Sequence, residues 1–148
     1  MKPNKKEKIV LVTLSDKSGK RNMAQKILII DDEKGIIKVL TSRLTANGYE
    51  VISATDGIEG LEKAKKESPN LILLDIMMPV MSGYEVIEKL KKDDATKLIP
   101  VIMVTAQEGL GHVTKSMSEY GAVDFVHKPF FPEELLKKIS DALDIYGD

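Results

Sequence analysis

The fold of this chain is decided by residues 71–79, which are Leu-Ile-Leu-Leu-Asp-Ile-Met-Met-Pro. Four consecutive apolar residues are long enough for a buried strand and too short for an ordinary helix. The apolar run ends at Asp75, and Pro79 prevents a strand from continuing in the middle of a sheet. Because a carboxylate at the end of a buried strand is costly unless its charge is compensated, we expect other residues to supply that compensation.

Apolar runs of strand length alternate with amphipathic segments along the chain. The runs occupy residues 27–30, 49–53, 71–74, 101–104 and 124–127. Five strands alternating with five helices imply a doubly wound parallel sheet with helices on both faces. Right-handed crossovers leave few topologies, and the common order for five strands is 2-1-3-4-5, as in flavodoxin-like folds. The sequence therefore predicts an α/β fold with its switch point between the first and third strands.

Helix boundaries are marked by specific end signals. Two helices begin with capping boxes, which pair Asp56 with Glu59 and Ser82 with Glu85. Pro132 lies in the first turn of the last helix, where its missing N–H costs nothing. The fourth helix, residues 107–120, has the weakest pattern because Gly109 and Gly111 disfavour its first turn.

Composition and charge divide the chain into a basic head and an acidic body. The chain has 148 residues, of which 43% are apolar and 30% charged, a balance typical of globular proteins. Seven Lys or Arg residues and two acids give residues 1–23 a formal charge of +5, and the remaining 15 basic and 21 acidic residues give −6. An acidic body argues against direct DNA binding. We expect residues 1–24 to be a basic extension, with an extra strand at residues 9–14 or a flexible leader, and residues 25–148 to form the main domain.

Two absences limit the possible classes of protein. There is no Cys, which excludes disulfides and thiolate metal sites. No apolar run approaches the roughly 20 residues needed to cross a bilayer. We therefore expect a cytoplasmic protein with no membrane partner.

Polar side chains follow the strands at the predicted switch point. Asp31 and Asp32 end the first strand, Asp75 ends the third, and Thr105 and Lys128 end the fourth and fifth. Three clustered carboxylates repel one another, and a hard divalent cation with oxygen ligands, Mg²⁺ rather than Zn²⁺, would relieve that repulsion. The metal, the ammonium and the hydroxyl could together neutralise a phosphoryl group. One carboxylate would then be free to act as a nucleophile and form an acyl phosphate.

Together these motifs resemble those of bacterial response-regulator receiver domains. The resemblance covers about residues 26–146 and rests on four motifs in order: Asp31-Asp32-Glu33, Asp75 within residues 75–83, Thr105-Ala106 and Lys128-Pro129-Phe130. It implies that Asp75 accepts the phosphoryl group, with Mg²⁺ held by Asp31, Asp32, Asp75 and the Met77 backbone carbonyl. It further implies roles for Lys128 at the phosphoryl group, Thr105 as switching hydroxyl and Phe125 as switching aromatic. Met77 and Gln107 match positions that flank the hydrolytic water, Gly83 matches a glycine after the acceptor loop, and Lys128–Pro129 matches a peptide that is usually cis.

The resemblance also implies a function in signalling rather than enzymatic turnover. A histidine kinase or histidine phosphotransfer protein would donate the phosphoryl group. A downstream protein would bind the surface formed by the fourth helix, fifth strand and fifth helix. Only Gly147 and Asp148 follow Tyr146, so we expect a stand-alone receiver domain, as a switch or as a phosphorelay intermediate that passes its phosphoryl group on.

Other functions fit the sequence less well. A phosphohydrolase with an aspartyl nucleophile would need an acid two residues after Asp75, where Met77 stands. A flavin carrier would need a small-residue phosphate loop, whereas Asp31-Asp32-Glu33 would repel a phosphate. A receiver-like scaffold that is never phosphorylated would not need the complete motif set. Residue by residue, the Asp31-Asp32 pair could be a helix N-cap, Thr105 an ordinary strand residue and Phe125 a core residue.

Overall fold

The computed structural model describes residues 24–106 and 115–146. In these ranges five strands alternate with four α-helices and one π-helical turn. In chain order they are β1 (Lys26–Ile30), α1 (Lys34–Ala46), β2 (Glu50–Ala54), α2 (Gly57–Glu67), β3 (Leu71–Leu74), α3 (Gly83–Lys92), β4 (Val101–Thr105), the π-helical turn (Lys115–Glu119), β5 (Asp124–His127) and α4 (Pro132–Tyr146). The helix predicted as the fifth is thus α4, the C-terminal helix.

The strands form one parallel sheet in the order β2-β1-β3-β4-β5. This arrangement confirms the predicted doubly wound fold. Its switch point lies between β1 and β3, where Ile30 is paired with Leu74. The backbone N–H of Asp75 donates to the Ile30 carbonyl at 3.0 Å. The residues that follow these two strands therefore meet at one edge of the sheet.

Two apolar cores cover the two faces of the sheet. Alternate strand residues face opposite sides, so Leu28 and Leu74 pack with α2 and α3, whereas Ile29 and Leu73 pack with α1 and α4. The central strand β3 is buried along its whole length, as expected for a parallel sheet covered on both faces. The site at the carboxyl edge therefore stands on a rigid base.

Most predicted element boundaries are correct. The predicted capping box at Ser82 forms, with reciprocal bonds to Glu85 at 3.3 and 3.4 Å. The one predicted at Asp56 forms only in half: Asp56 accepts the Glu59 N–H at 2.8 Å, but the Glu59 carboxylate accepts from Thr55, one residue before the cap. The second strand begins one residue later than predicted, at Glu50, because the Tyr49 N–H instead donates to Leu44 at the end of α1. Residues 107–114 of the predicted fourth helix lie outside the described residues, and residues 115–119 form a π-helical turn, not an α-helix.

The remaining predictions about the head lie outside the described residues. These are the possible strand at residues 9–14 and the leader around it. No helix in the described ranges combines the length and apolarity needed to span a membrane.

Candidate functional site

Three carboxylates meet at the carboxyl edge of the sheet. Asp31 and Asp32 follow β1 and Asp75 follows β3, and each offers an oxygen atom within 4.8 Å of those of the other two. Asp31 and Asp75 are buried, with 2% and 4% of their surface exposed, whereas Asp32 is exposed. The topology rule thus correctly placed these residues together.

Lys128 supplies the positive charge that the carboxylates need. It follows β5, and its Nζ lies 2.7 Å from Asp31 Oδ2, 3.2 Å from Glu33 Oε1 and 3.6 Å from Asp75 Oδ2. The Lys128 side chain is only 10% exposed. The preceding backbone is fixed, because the Lys128 N–H donates to the Thr105 carbonyl at 2.9 Å, and the Lys128–Pro129 peptide is cis, as the resemblance implies.

Burial and mutual repulsion shift the protonation of the site. Desolvation, followed by repulsion from Asp31, raises the pKa of Asp75 from 3.8 to about 6, although Lys128 opposes the shift. Desolvation also raises the pKa of Asp31 despite its hydrogen bond from Lys128. Burial alone would lower the pKa of Lys128, but the hydrogen bond and charge of Asp31 outweigh it and the pKa is raised. One ammonium therefore does not fully compensate three carboxylates.

The carboxylate cluster fits a hard divalent cation. All three side chains offer oxygen atoms, which Mg²⁺ prefers, and the exposed Asp32 leaves one side open to solvent. A cation would relieve the repulsion that raises the pKa of Asp75. The alternative that the Asp31-Asp32 pair merely caps α1 is wrong, since the N-cap residue is Glu33 and its side chain makes no capping hydrogen bond.

The two predicted switch residues lie on the neighbouring strands β4 and β5. Thr105 ends β4 with a fully buried side chain. Phe125, 7% exposed, lies in β5 opposite Met103 and belongs to the core under α2 and α3. Because residues two apart in a strand face the same side, Thr105 and Phe125 share one face of the sheet. Their burial is compatible with a packing role as well as with switching.

Met77 lies in the loop after Asp75, and Gln107 lies outside the described residues. The Met77 side chain is 56% exposed, and its backbone N–H donates to Asp75 Oδ1 at 3.3 Å. That contact orients the Asp75 carboxylate. The metal contact expected of the Met77 carbonyl stays a prediction.

Gly83 closes the acceptor loop against Asp75. Its N–H donates to the Ile76 carbonyl at 2.8 Å. A Cβ atom at this position would lie 2.7 Å from Ile76 Cα and would also collide with the Asp75 carbonyl oxygen. The absence of a side chain therefore lets α3 begin directly against the backbone of the site.

Two features of the site region were not predicted from the sequence. Glu33 contacts Lys128, although the sequence gave Glu33 no role beyond its place in the motif. Val80, in the acceptor loop, has a positive φ of 69° and is 92% exposed, a strained conformation for a β-branched residue. A glutamate at a helix N-cap position, where it caps poorly, was the available signal for the first feature.

The response regulator receiver domain family matches residues 27–140. The chain belongs to this family. The resemblance of its motifs to receiver domains is thereby confirmed. Its structure is similar to a CheY-like response regulator receiver domain protein from Methanospirillum hungatei JF-1, with 37% sequence identity, a TM-score of 0.78, and coverage of 84% of this chain and 97% of that chain.

The curated relatives are longer receiver-containing proteins. The chain is 45% identical over 124 residues to the probable transcriptional regulator ycf27 of Pyropia yezoensis, covering 82% of this chain and 49% of that protein. It is 39% identical over 121 residues to the alkaline phosphatase synthesis transcriptional regulatory protein PhoP of Bacillus subtilis, covering 82% and 49%. This receiver chain thus spans about half the length of those two proteins.

Proposed function

We propose that this receiver domain is a Mg²⁺-dependent phosphoacceptor in two-component signalling and that Asp75 accepts the phosphoryl group from a phosphohistidine. The observation that carries this proposal is the buried Asp75 carboxylate, held between Lys128 and the two β1 acids at the switch point. The protein would catalyse only its own phosphorylation and dephosphorylation.

Asp75 would act as the nucleophile. One of its carboxylate oxygens attacks phosphorus, an O–P bond forms and the P–N bond breaks, and the electron pair leaves with the imidazole nitrogen. The Met77 N–H orients the carboxylate, and Lys128 neutralises a phosphoryl oxygen. Asp31 and Asp32 would hold Mg²⁺ together with Asp75. A bound Mg²⁺ supplies further positive charge at the phosphoryl oxygens.

A signal would reach partners through a shift between two conformations. The phosphoryl group adds charge that attracts Thr105 and Lys128, and inward movement of Thr105 would leave space for Phe125. The surface formed by residues 115–120, β5 and α4 would then change and bind a downstream protein. The relatives are named transcriptional regulators, whereas for this chain the absence of direct DNA binding stays a prediction.

Replacing Asp32 tests this function. We expect Asp32→Ala to lose most Mg²⁺ affinity and nearly all labelling by acetyl phosphate while remaining folded, because Asp32 is exposed and its removal relieves repulsion. Labelling is measured at low Mg²⁺ with radioactive acetyl phosphate. The control is Asp94→Ala. It removes a carboxylate that is 93% exposed and that does not belong to the cluster of three. Undiminished labelling of Asp32→Ala would overturn the metal assignment.

Met77 is expected to set the lifetime of the acyl phosphate. Its half-exposed, apolar side chain can cover the phosphoryl group but cannot orient water by hydrogen bonding. We therefore expect a moderately long-lived phosphorylated form, and Met77→Asn should hydrolyse several-fold faster with little change in Mg²⁺ binding. Loss of label is followed after removal of the donor. Equal or slower loss in the variant would show that Met77 does not limit water access.

A further inference from the structure

Lys128 is held by two carboxylates of the loop between β1 and α1. Its Nζ donates to Asp31 Oδ2 at 2.7 Å and to Glu33 Oε1 at 3.2 Å. The proposed acceptor, Asp75, is the most distant of the three partners, with its Oδ2 at 3.6 Å. In this state the ammonium is therefore directed toward the β1–α1 loop more than toward the acceptor.

Glu33 forms this contact instead of capping its own helix. It is the N-cap residue of α1, a position where a side-chain oxygen commonly accepts a backbone N–H, yet its carboxylate makes no such bond. Its backbone N–H donates to Asp31 Oδ1 at 2.9 Å. Asp31 thus accepts from the Glu33 backbone with one oxygen and from Lys128 with the other. The Glu33 carboxylate in turn accepts from Lys128, so the three residues contact one another.

From this geometry we propose that Glu33 is a positioning residue that restrains the Lys128 ammonium from moving onto the phosphoryl group of Asp75. The proposal rests on the phosphoacceptor function given above. An ammonium has three N–H donors, and two of them are directed at Asp31 and Glu33. When a metal occupies the Asp31 carboxylate, Glu33 remains as the competing anionic partner. Breaking that contact costs free energy, so Glu33 favours the unphosphorylated state.

Removing the restraint should strengthen binding of a phosphoryl mimic. In Glu33→Ala the Glu33 acceptor for Lys128 is gone, and we expect beryllofluoride to bind about two- to fivefold more tightly at saturating Mg²⁺, the range for an ion pair whose acid is largely exposed. Glu33→Asp keeps the charge, but its side chain is one methylene shorter and suits N-capping. We expect it to bind beryllofluoride as tightly as Glu33→Ala does.

The control is a Lys–Glu pair elsewhere with the same separation and a similarly exposed glutamate, although its lysine is exposed. Glu88 lies 3.2 Å from Lys92, the same separation as Glu33 from Lys128, and the two glutamates are similarly exposed, at 53% and 61%. Glu88→Ala should leave beryllofluoride affinity unchanged. Calorimetry gives the affinities for Mg²⁺ and beryllofluoride, and the NMR signal of the Lys128 ammonium, compared with and without beryllofluoride, shows whether that group is released.

Each outcome decides the proposal. Tighter binding in both Glu33 variants, with a shifted Lys128 signal, supports it. Tighter binding in Glu33→Ala alone shows that charge repulsion acts instead of the contact and overturns it, as does unchanged or weaker binding in both. If the wild-type protein binds Mg²⁺ and beryllofluoride but the variants do not differ from it, this inference fails alone. If the wild type binds neither, the phosphoacceptor function itself fails.

Discussion

The Asp75→Asn variant is expected to take no label from acetyl phosphate and to be more stable than the wild-type protein at pH 7. Asparagine has no carboxylate to attack phosphorus, so labelling should fall to background. Its amide also removes a charge that burial and Asp31 disfavour. A pKa raised from 3.8 to about 6 corresponds to a gain on the order of 3 kcal/mol in the free energy of unfolding.

The stability difference between Asp75→Asn and the wild-type protein should depend on pH. Between about pH 4 and 6 the folded wild-type protein binds a proton at Asp75, while the unfolded chain does not. Asp75 therefore destabilises the folded wild-type protein less and less as pH falls through this range. The advantage of Asp75→Asn should be largest at pH 7 and nearly vanish by pH 4.

Urea unfolding followed by circular dichroism, in EDTA at several pH values, measures both effects. Asp94→Asn is the control, because its carboxylate is almost fully exposed and its replacement should leave stability nearly unchanged. A stability difference for Asp75→Asn that stays constant from pH 4 to 7 would show that the charge of Asp75 does not destabilise the fold. Residual labelling of this variant would show that another residue accepts the phosphoryl group.

Gly83→Ala is expected to destabilise the protein strongly. A Cβ at Gly83 would meet backbone atoms of Asp75 and Ile76, and backbone cannot rotate away as a flexible side chain can. Overpacking of this kind costs about 3 kcal/mol. Since the collision lies on the acceptor residue, the change should also displace Asp75 and slow its phosphorylation.

Gly35→Ala is the matched control for this substitution. Gly35 lies in α1, and a Cβ there would meet nothing within 4 Å. Alanine is the better helix former, so Gly35→Ala should raise the unfolding free energy by about 0.5–1 kcal/mol. The two variants are compared by urea unfolding. If Gly83→Ala proves as stable as the wild type, α3 must be able to move away from the acceptor loop at little cost.

Strand-end chemistry and crossover rules together made the site predictable. Asp31 and Asp75 are 44 positions apart, yet each follows a buried apolar run, and parallel strands bring their ends to one edge. Helix ends were predictable from local sequence, because a capping box such as that of Ser82 and Glu85 involves residues only three positions apart. Where the pattern was weak, around Gly109 and Gly111, the sequence predicted an ordinary helix, and its described part is a π-helical turn.

Features that depend on three-dimensional packing could not be predicted from the sequence. The contact of Glu33 with Lys128 joins residues 95 positions apart, and the local pattern marks Glu33 only as a poor helix cap, without indicating its partner. The positive φ of Val80 was equally hidden, since a valine normally avoids that region. The close approach of α3 to Asp75 is possible only because Gly83 has no side chain, and the atoms that a Cβ would meet there are known only from the folded chain.

The placement of the site on strand ends has a consequence for how such proteins diversify. Asp31, Asp75 and Lys128 belong to the edge of the sheet, whereas the outward positions of the helices, such as Lys38 in α1 and Glu62 in α2, are exposed. The residues of the site and the residues exposed on the helices are therefore different positions of the sequence. After gene duplication, substitutions at the exposed helix positions could give each copy a different binding partner while both keep the same site residues.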